Sequence, residues 1–463
     1  MGTPQRYKPE AICRVGLIHS SDEATVMEAE RRNQVIRFYN TNQLYKRTNL
    51  WNETKSVPIS REMIWSAYKK VRSNQGGAGI DHISVEEYDA KRSKHLYKLW
   101  NRMSSGSYFP PAVKEVEIPK KDGKTRNLGI PTISDRVAQM VVKDYLEPRF
   151  EKIFSPNSFG YRPQKNAHQA LSLVRENCRK TDWVIDLDIK GFFDNIDHEK
   201  LLKAVEKHVS EKWCILYITR WLQTPVQTKS GDLLYKQGKG TPQGGVISPL
   251  LANLFLHYAM DKWLERTHPT VKYVRYADDA ILHCKSISQA KYVKENLQKR
   301  MQECGLELHP EKTKIVYCKD YRRQEKYPVV KFDFLGYSFQ PRSTAKGGKG
   351  NLFLGYDCAI SISSKKRIIE KLREMDIPHL THNSVVGVAQ YLDPYIRGWI
   401  QYFGKFRLSK MNPLFQLIRR RLVQWARIRY KRYKTSLVRA YNWLKRMRIQ
   451  FPYLFYHWKL GYY

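Results

Sequence analysis

An α+β fold followed by an α-helical bundle is what this sequence predicts, and three observations predict it. Between about residues 60 and 355, short β-rich runs bounded by Gly, Pro and Asp alternate with segments of helical period. Lys346-Gly347-Gly348-Lys349-Gly350 then interrupts the pattern as a flexible break. Beyond it, apolar residues recur only at helical spacing, set among Arg and Lys. With 463 residues and 42% apolar content the chain can build two or three cores. The expected division is an N-terminal extension (1–60), a mixed region (61–355), a helical domain (356–430) and a basic, aromatic C-terminal extension (431–463).

Charge narrows the partner. The 82 Lys and Arg outnumber 44 Asp and Glu, a formal charge of +38. Solubility needs far less, so a polyanion, nucleic acid above all, is implied. Asp393 is the last acid, and Pro394 to Tyr463 carries 17 Lys and Arg interleaved with Trp, Tyr and Phe. That mixture suits phosphate backbones and stacked bases. Seven scattered cysteines without a Cys-x-x-Cys pair argue against a disulfide framework and a zinc site, and fit a reducing compartment. With no apolar run of 18 residues and no signal-type apolar core, neither a membrane span nor an export signal is expected; the expected location is cytoplasmic and nucleic-acid-associated.

The elements follow in order. Ala24 to Tyr39 has helical composition but carries no chemistry. Ile64, Tyr68 and Val71 define one helical face, followed by the Gly-rich stretch Gln75 to Asp81. Its spacing fits no phosphate-binding fingerprint, so it reads as a plain flexible loop. Val113 to Pro119 alternates like an edge strand, Lys120 to Lys124 turns, and Thr125 to Pro131 returns. Lys121, Lys124 and Arg126 gather charge at that tip, which suits a triphosphate or equally a solvated turn. Trp183 to Asp197 begins as a strand with Asp186 and Asp188 on one face, because side chains alternate with period two. Gly240 to Pro249 reads as a tight turn whose backbone can approach a ligand closely, running into a helix with Ser248 as cap and Pro249 first.

Three helices are expected in the bundle. Ile368, Ile369, Leu372 and Met375 mark one. Val386, Ala389, Leu392, Ile396, Trp399 and Phe403 mark a second, kinked at Pro394. The third starts with Asn412 as cap and Pro413 as first residue, and Arg419, Arg420, Arg421 and Arg427 extend its positive face.

The chain is organised around Tyr276-Ala277-Asp278-Asp279, between the apolar runs Val271 to Arg275 and Ala280 to Cys284. It reads as a β-hairpin with adjacent carboxylates at or beside the turn. These repel unless a cation lies between or beside them, and Mg²⁺ prefers such hard oxygen ligands. Alone, the motif also reads as a solvated Asp-Asp turn. A carboxylate from the Asp186–Asp188 strand, set opposite the hairpin, would complete a cation site.

Seven blocks in order, Lys124–Pro131, Phe159–Pro163, Asp188–Phe193, Gln243–Pro249, Tyr276–Asp279, Glu311–Lys314 and Phe334–Tyr337, resemble the reverse transcriptase-maturases encoded by group II introns. The resemblance covers about residues 60 to 430. It implies a right-hand polymerase, with fingers and palm around an antiparallel sheet, then an α-helical thumb and maturase bundle in which Gly398 to Phe403 carries the match. The implied activity is RNA-directed DNA synthesis, together with binding of the intron RNA as splicing cofactor and mobility by target-primed reverse transcription. The implied partners are group II intron RNA, target DNA, and an RNA template with a DNA primer.

Residue roles follow from the resemblance. Two Mg²⁺ would lie between Asp188 and Asp278, with the Ile189 carbonyl assisting and Asp279 nearby. Arg126 and one of Lys120 or Lys121 would hold the dNTP, Gln243 would approach its sugar, and Lys312 would lie near the pyrophosphate. Phe193 would lie under the sugar and exclude a 2′-hydroxyl, while Leu335 and Gly336 grip the primer. Arg419, Arg420, Arg421 and Arg427 fall to RNA. Asp186, Asp194 and Asp197 have no counterpart and are expected to serve as caps or in salt bridges. The chain lacks the paired Cys and His of the HNH endonuclease that many members carry, so cutting of a second DNA strand is not expected. Two rivals stay open: a domesticated relative serving antiviral defence or CRISPR adaptation, and an RNA-binding maturase without polymerase activity. The acidic pair and Arg126 speak against the second.

Overall fold

The computed structural model describes residues 57–119, 125–345 and 352–463. The 24–39 segment, Lys120, Lys121 and the 346–350 break lie outside the described residues. Among the described residues, helices α1 (Arg61–Ser73), α2 (Val85–Ala90) and α3 (Arg92–Ser104) come first, then strands β1 (Val113–Pro119) and β2 (Thr125–Ile130). Helices α4 (Ile133–Glu151) and α5 (Ala167–Lys180) lead to β3 (Trp183–Leu187). Next come α6 (Phe192–Asn195), α7 (His198–Glu206), α8 (Lys212–Gln223), β4 (Val226–Gln227) and β5 (Leu233–Leu234). Helix α9 (Ser248–Leu256) passes through a π-helical turn, His257–Asp261, into α10 (Lys262–Thr267). The hairpin β6 (Lys272–Tyr276) and β7 (Asp279–Cys284), helix α11 (Ile287–Glu303) and strand β8 (Lys314–Tyr317) follow. Strands β9 (Phe332–Phe334), β10 (Tyr337–Ala345) and β11 (Leu352–Ile360) precede α12 (Ile362–Glu374), α13 (Val385–Arg407), α14 (Asn412–Arg429), α15 (Leu437–Gln450) and α16 (Tyr456–Lys459).

Local chemistry accounts for the ends of many of these elements. Ser60 caps α1 by accepting from the Met63 N–H, and Ile64, Ala67, Tyr68 and Val71 bury its inner face as the periodicity predicts. The following Gly-rich loop is not free. Arg136 on α4 donates to the carbonyls of Pro131, at 3.0 Å, and Gly77, and a Cβ on Gly79 would meet the Thr132 nitrogen at 2.7 Å. Gly79 permits close backbone packing against the start of α4. Ser248 and Asn412 are first helical residues, not caps; Ile247 and Met411 precede them. Helix α13 runs on through Pro394; Ala389, Leu392 and Ile396 are buried, with Trp399 and Phe403 packed beside them, while Val386 alone of the expected stripe is 50% exposed, its place taken by Val385 and Val388.

Three sheets form. The order β2-β1-β4-β5 places β1 inside the first, since β4 pairs parallel with Val113 and Lys114. The edge assignment for β1 is therefore wrong. The second, β6-β7-β3-β8, sits on α5, α9 and α11. The third, β11-β10-β9, shares an apolar cluster with the second, including Val184, Ile281, Phe334 and Cys358. Because β11 belongs to that sheet and Ser361 caps α12, the break between mixed and helical parts falls near Ser361, not 355. The segment after residue 430 has no core of its own: Tyr433, Ala440, Trp443, Phe455 and Trp458 join Ile396, Phe415 and Trp425. The six described cysteines are free and buried, and among the described residues no helix is long and apolar enough to cross a membrane.

Asp393, the last acid, ties this segment down. It is buried, accepting from the Tyr456 backbone N–H and from Arg397, both at 2.5 Å. Asp393→Ala strands the Tyr456 N–H, while the exposed Arg397 turns to solvent; a buried donor left unmade costs about 1–3 kcal/mol. The expected outcome is early proteolytic release of the segment after residue 450; wild-type protease resistance would contradict it.

Candidate active site

The organising stretch forms a tight hairpin, with Tyr276 paired to Asp279 and Ala277 at a left-handed φ of +56°. Strand β3 lies beside β7 in antiparallel register, Leu187 opposite Ala280. Asp188 follows Leu187 and Asp279 precedes Ala280, so the two acids stand at the same end of this strand pair. Both carboxylates line an open cleft of about 370 Å³, together with Asp186, Lys312, Lys314 and Asp333. Asp278 sits on the turn, half-buried, and is not part of that lining. Asp279 thus lines the cleft together with Asp188, and Asp278 stands next to it on the turn.

Electrostatics in the cleft are unbalanced. Burial raises the Asp186 carboxyl to about 7, and the like charges of Asp279, Asp188 and Asp333 push the same way. Its expected role as a cap or salt-bridge partner is not what the structure gives it. Asp197 does cap α7, accepting from the Lys200 N–H at 3.0 Å, and Asp194 accepts from Gln243 Nε2 at 3.1 Å. Lys312 Nζ lies 3.6 Å from Asp188 Oδ2, a cation set beside the central acid.

The carboxylate oxygens that line the cleft are donors of the kind a hard divalent cation takes. Ile189 bridges to Leu308, but the bonds of that bridge use the Lys190 and His309 N–H groups with the Glu307 and Asp188 carbonyls. The Ile189 carbonyl is not consumed there. Among the described residues, no three His, Cys, Asp or Glu side chains are drawn together closely enough to hold a metal ion by themselves. The residues therefore fit a metal in chemistry, on a cleft that is open rather than caged.

What holds the hairpin is a residue the sequence reading passed over. Arg275, on β6, is fully buried and paired with the equally buried Asp261 at 2.5 Å. Its Nε also donates to Asp261, and its Nη1 donates to Asn253 Oδ1 at 2.9 Å and to the Ala277 carbonyl at 3.0 Å. Asn253 in turn donates to the Gly160 carbonyl at 2.8 Å. A Cβ on Gly160 would collide with the Ala277 nitrogen, so only glycine lets the Phe159–Pro163 block lie under the turn. A charge inside an apolar strand was the available signal, since a buried guanidinium must find partners.

The remaining candidates are dispersed. Phe193 is 8% exposed and packs edge-on against Phe192. The Gly129 N–H donates to the Gln243 carbonyl at 2.6 Å, and a Cβ on Gly244 would meet the Gly129 oxygen at 2.5 Å. The close approach those glycines permit is thus to β2, the strand that carries Arg126, and not to an open ligand surface. Leu335 and Gly336 form the turn between β9 and β10. The four arginines do not share one face. Arg419 donates to the Tyr441 hydroxyl and lies over the Tyr463 ring, and Arg427 donates to the Lys434 carbonyl. Arg421 is half-buried and Arg420 exposed.

Comparison with known proteins places these observations. Residues 118–339 match the family described as reverse transcriptase (RNA-dependent DNA polymerase), and residues 365–444 match the group II intron, maturase-specific domain. Group II intron-encoded protein LtrA of Lactococcus lactis subsp. cremoris is 28% identical over 349 residues, 61% of this chain and 55% of that protein. The chain thus spans about half the length of that relative. Protein YkfC of Escherichia coli (strain K12) is 30% identical over 279 residues, 52% of this chain and 73% of that protein. A solved telomerase from Candida albicans aligns with a TM-score of 0.42 at 14% identity, over 77% of this chain and 65% of that one.

The buried pair under the hairpin yields a stability prediction. Arg275→Met alone leaves Asp261 charged and unpaired, which costs about 3–5 kcal/mol, whereas Arg275→Met with Asp261→Leu recovers much of that loss. Denaturant melts check it; a double variant no more stable than the single one would contradict the ion-pair account.

Proposed function

Because the chain belongs to the family of group II intron-encoded reverse transcriptase/maturases, we propose that it is an RNA-directed DNA polymerase that also binds intron RNA to assist splicing and mobility. The observation that carries this reading is that Asp188 and Asp279, next to the paired Leu187 and Ala280, line one cleft beside Lys312.

Asp188, Asp278 and Asp279, with the Ile189 carbonyl, are the residues that would hold two Mg²⁺, whose chemistry when bound is charge stabilisation and activation of a primer 3′-hydroxyl. The protein's own groups do the positioning. Lys312 offsets charge on the departing pyrophosphate. Gln243, steadied by Asp194, meets the nucleotide sugar, and Phe193 beneath it rejects a 2′-hydroxyl. Arg126 and one of Lys120 or Lys121 receive the triphosphate of the dNTP. Leu335 and Gly336 hold the primer strand.

Intron RNA is assigned to the helical part. The support is a basic cleft of about 480 Å³ lined by Tyr433, Arg439, Asn442, Lys445, Arg446 and Ile449. Exposed Arg420 adds to the cationic surface, while Arg419 and Arg427 serve to fasten the C-terminal segment to α14.

Replacing Asp278 and Asp279 by Ala is expected to abolish Mg²⁺-dependent cDNA synthesis on an RNA template while RNA affinity stays within about twofold. Synthesis at the wild-type rate would refute the polymerase reading. For RNA, Arg420→Gln, Arg439→Gln and Arg446→Gln together are expected to flatten log Kd against log salt by about two units, since each phosphate contact contributes about 0.7 to 0.9. An unaltered slope would show that the RNA lies elsewhere.

A further inference from the structure

Tyr402, on α13, meets three elements of the neighbouring sheet domain. Its hydroxyl donates to the Leu335 carbonyl at 2.9 Å. Its own carbonyl accepts from the Tyr337 hydroxyl on β10 and lies 2.8 Å from His168 Nε2 on α5. The turn it touches is unusual. Leu335 and Gly336, between the paired Phe334 and Tyr337, carry φ of +48° and +78°. Glycine adopts that left-handed region freely, but leucine is strained there. Such strain persists only where the surroundings fix it.

The fixing groups all come from the junction with the helical domain. The Gly336 carbonyl accepts from the Ser361 N–H at 2.9 Å and from Ser364 Oγ at 3.0 Å. The Phe403 ring stands 3.2 Å from where a Cβ on Gly336 would be, and Tyr402 holds the Leu335 carbonyl. The end of the Gly398–Phe403 block therefore faces inward onto this turn. Strand β9, which leads into the turn, supplies Phe332, Asp333 and Phe334 to the wall of the Asp188–Asp279 cleft. A shift of the turn moves that wall.

We infer that Tyr402 is a positioning residue for primer binding: its hydroxyl holds the Leu335-Gly336 turn in the left-handed conformation, so the helical domain sets where the primer strand lies against the cleft. This rests on the polymerase reading and on Leu335 and Gly336 as the primer-holding turn. Tyr402 touches no reacting atom; it acts through the backbone of Leu335.

Tyr402→Phe in the full chain keeps the ring and removes only the hydroxyl. The expected result is a KM for a DNA primer on an RNA template raised about five- to tenfold, the size of one lost hydrogen bond, with kcat within twofold. In a Leu335→Gly background, where the left-handed turn needs no restraint, the same change is expected to alter KM less than twofold. A role in packing alone gives equal losses in both backgrounds. Equal losses, or an unchanged KM in Tyr402→Phe, would overturn the inference. If the unaltered chain extends no primer, the polymerase reading fails instead. The turn itself is then judged by amide hydrogen exchange: faster exchange at Ser361 in Tyr402→Phe supports the restraint, and unchanged exchange refutes it.

Discussion

The Arg275 guanidinium, sealed beneath the hairpin, is the constraint on which the rest of the site depends. A buried charge is tolerated only with full partners. Here the partners come from separate parts of the chain: Asp261 from the π-helical turn, Asn253 from α9, and the Ala277 carbonyl from the hairpin itself. The turn cannot move without breaking one of these bonds. Gly160 closes the arrangement from the other side, where any side chain would displace Ala277. With the hairpin so held, the β3–β7 register does the rest and puts Asp279 and Asp188 at one end of the strand pair, on one cleft. The wider π-helical turn is a local departure from α geometry of the kind found at functional sites, and it ends on Asp261, the carboxylate that Arg275 needs.

Two opposed electrostatic demands are met in different places. A chain of formal charge +38 draws in a polyanion over long range. At short range, four acids on one cleft repel both each other and any phosphate, a repulsion that adds to the burial that raises the Asp186 carboxyl. Lys312, Lys314 and Lys331 stand on the same cleft and soften that repulsion without removing it. A divalent cation is the natural complement to such a site, and the helical bundle, almost empty of acids, is the natural partner for backbone phosphates.

The sheet, the hairpin and its acids were legible because period-two alternation and turn chemistry are local signals. So was the inner face of α1. What escaped depends on contacts between distant residues. The Arg275–Asp261 pair spans a helix boundary that no local pattern marks, and the inward aim of Arg419 is fixed by Tyr441 and Tyr463, which arrive only when the last segment folds back. The interior place of β1 follows from a two-residue strand, β4, too short to announce itself. The domain boundary was misplaced for a topological reason. Ala345 pairs with Leu352, so the Gly-rich stretch connects two paired strands and does not separate domains. Likewise the glycines of the Gln243 block looked like a ligand loop, yet serve the approach of one backbone to another.

The central claim is that this held hairpin and β3 together form a divalent-cation site. Anomalous diffraction from crystals soaked in Mn²⁺, chosen because it shares the oxygen preference of Mg²⁺, tests it most directly. The account predicts Mn²⁺ density bound by Asp188 and the hairpin acids in the unaltered chain, and its loss in Asp188→Asn. Density confined to other carboxylates, or unaffected by that substitution, would contradict the account.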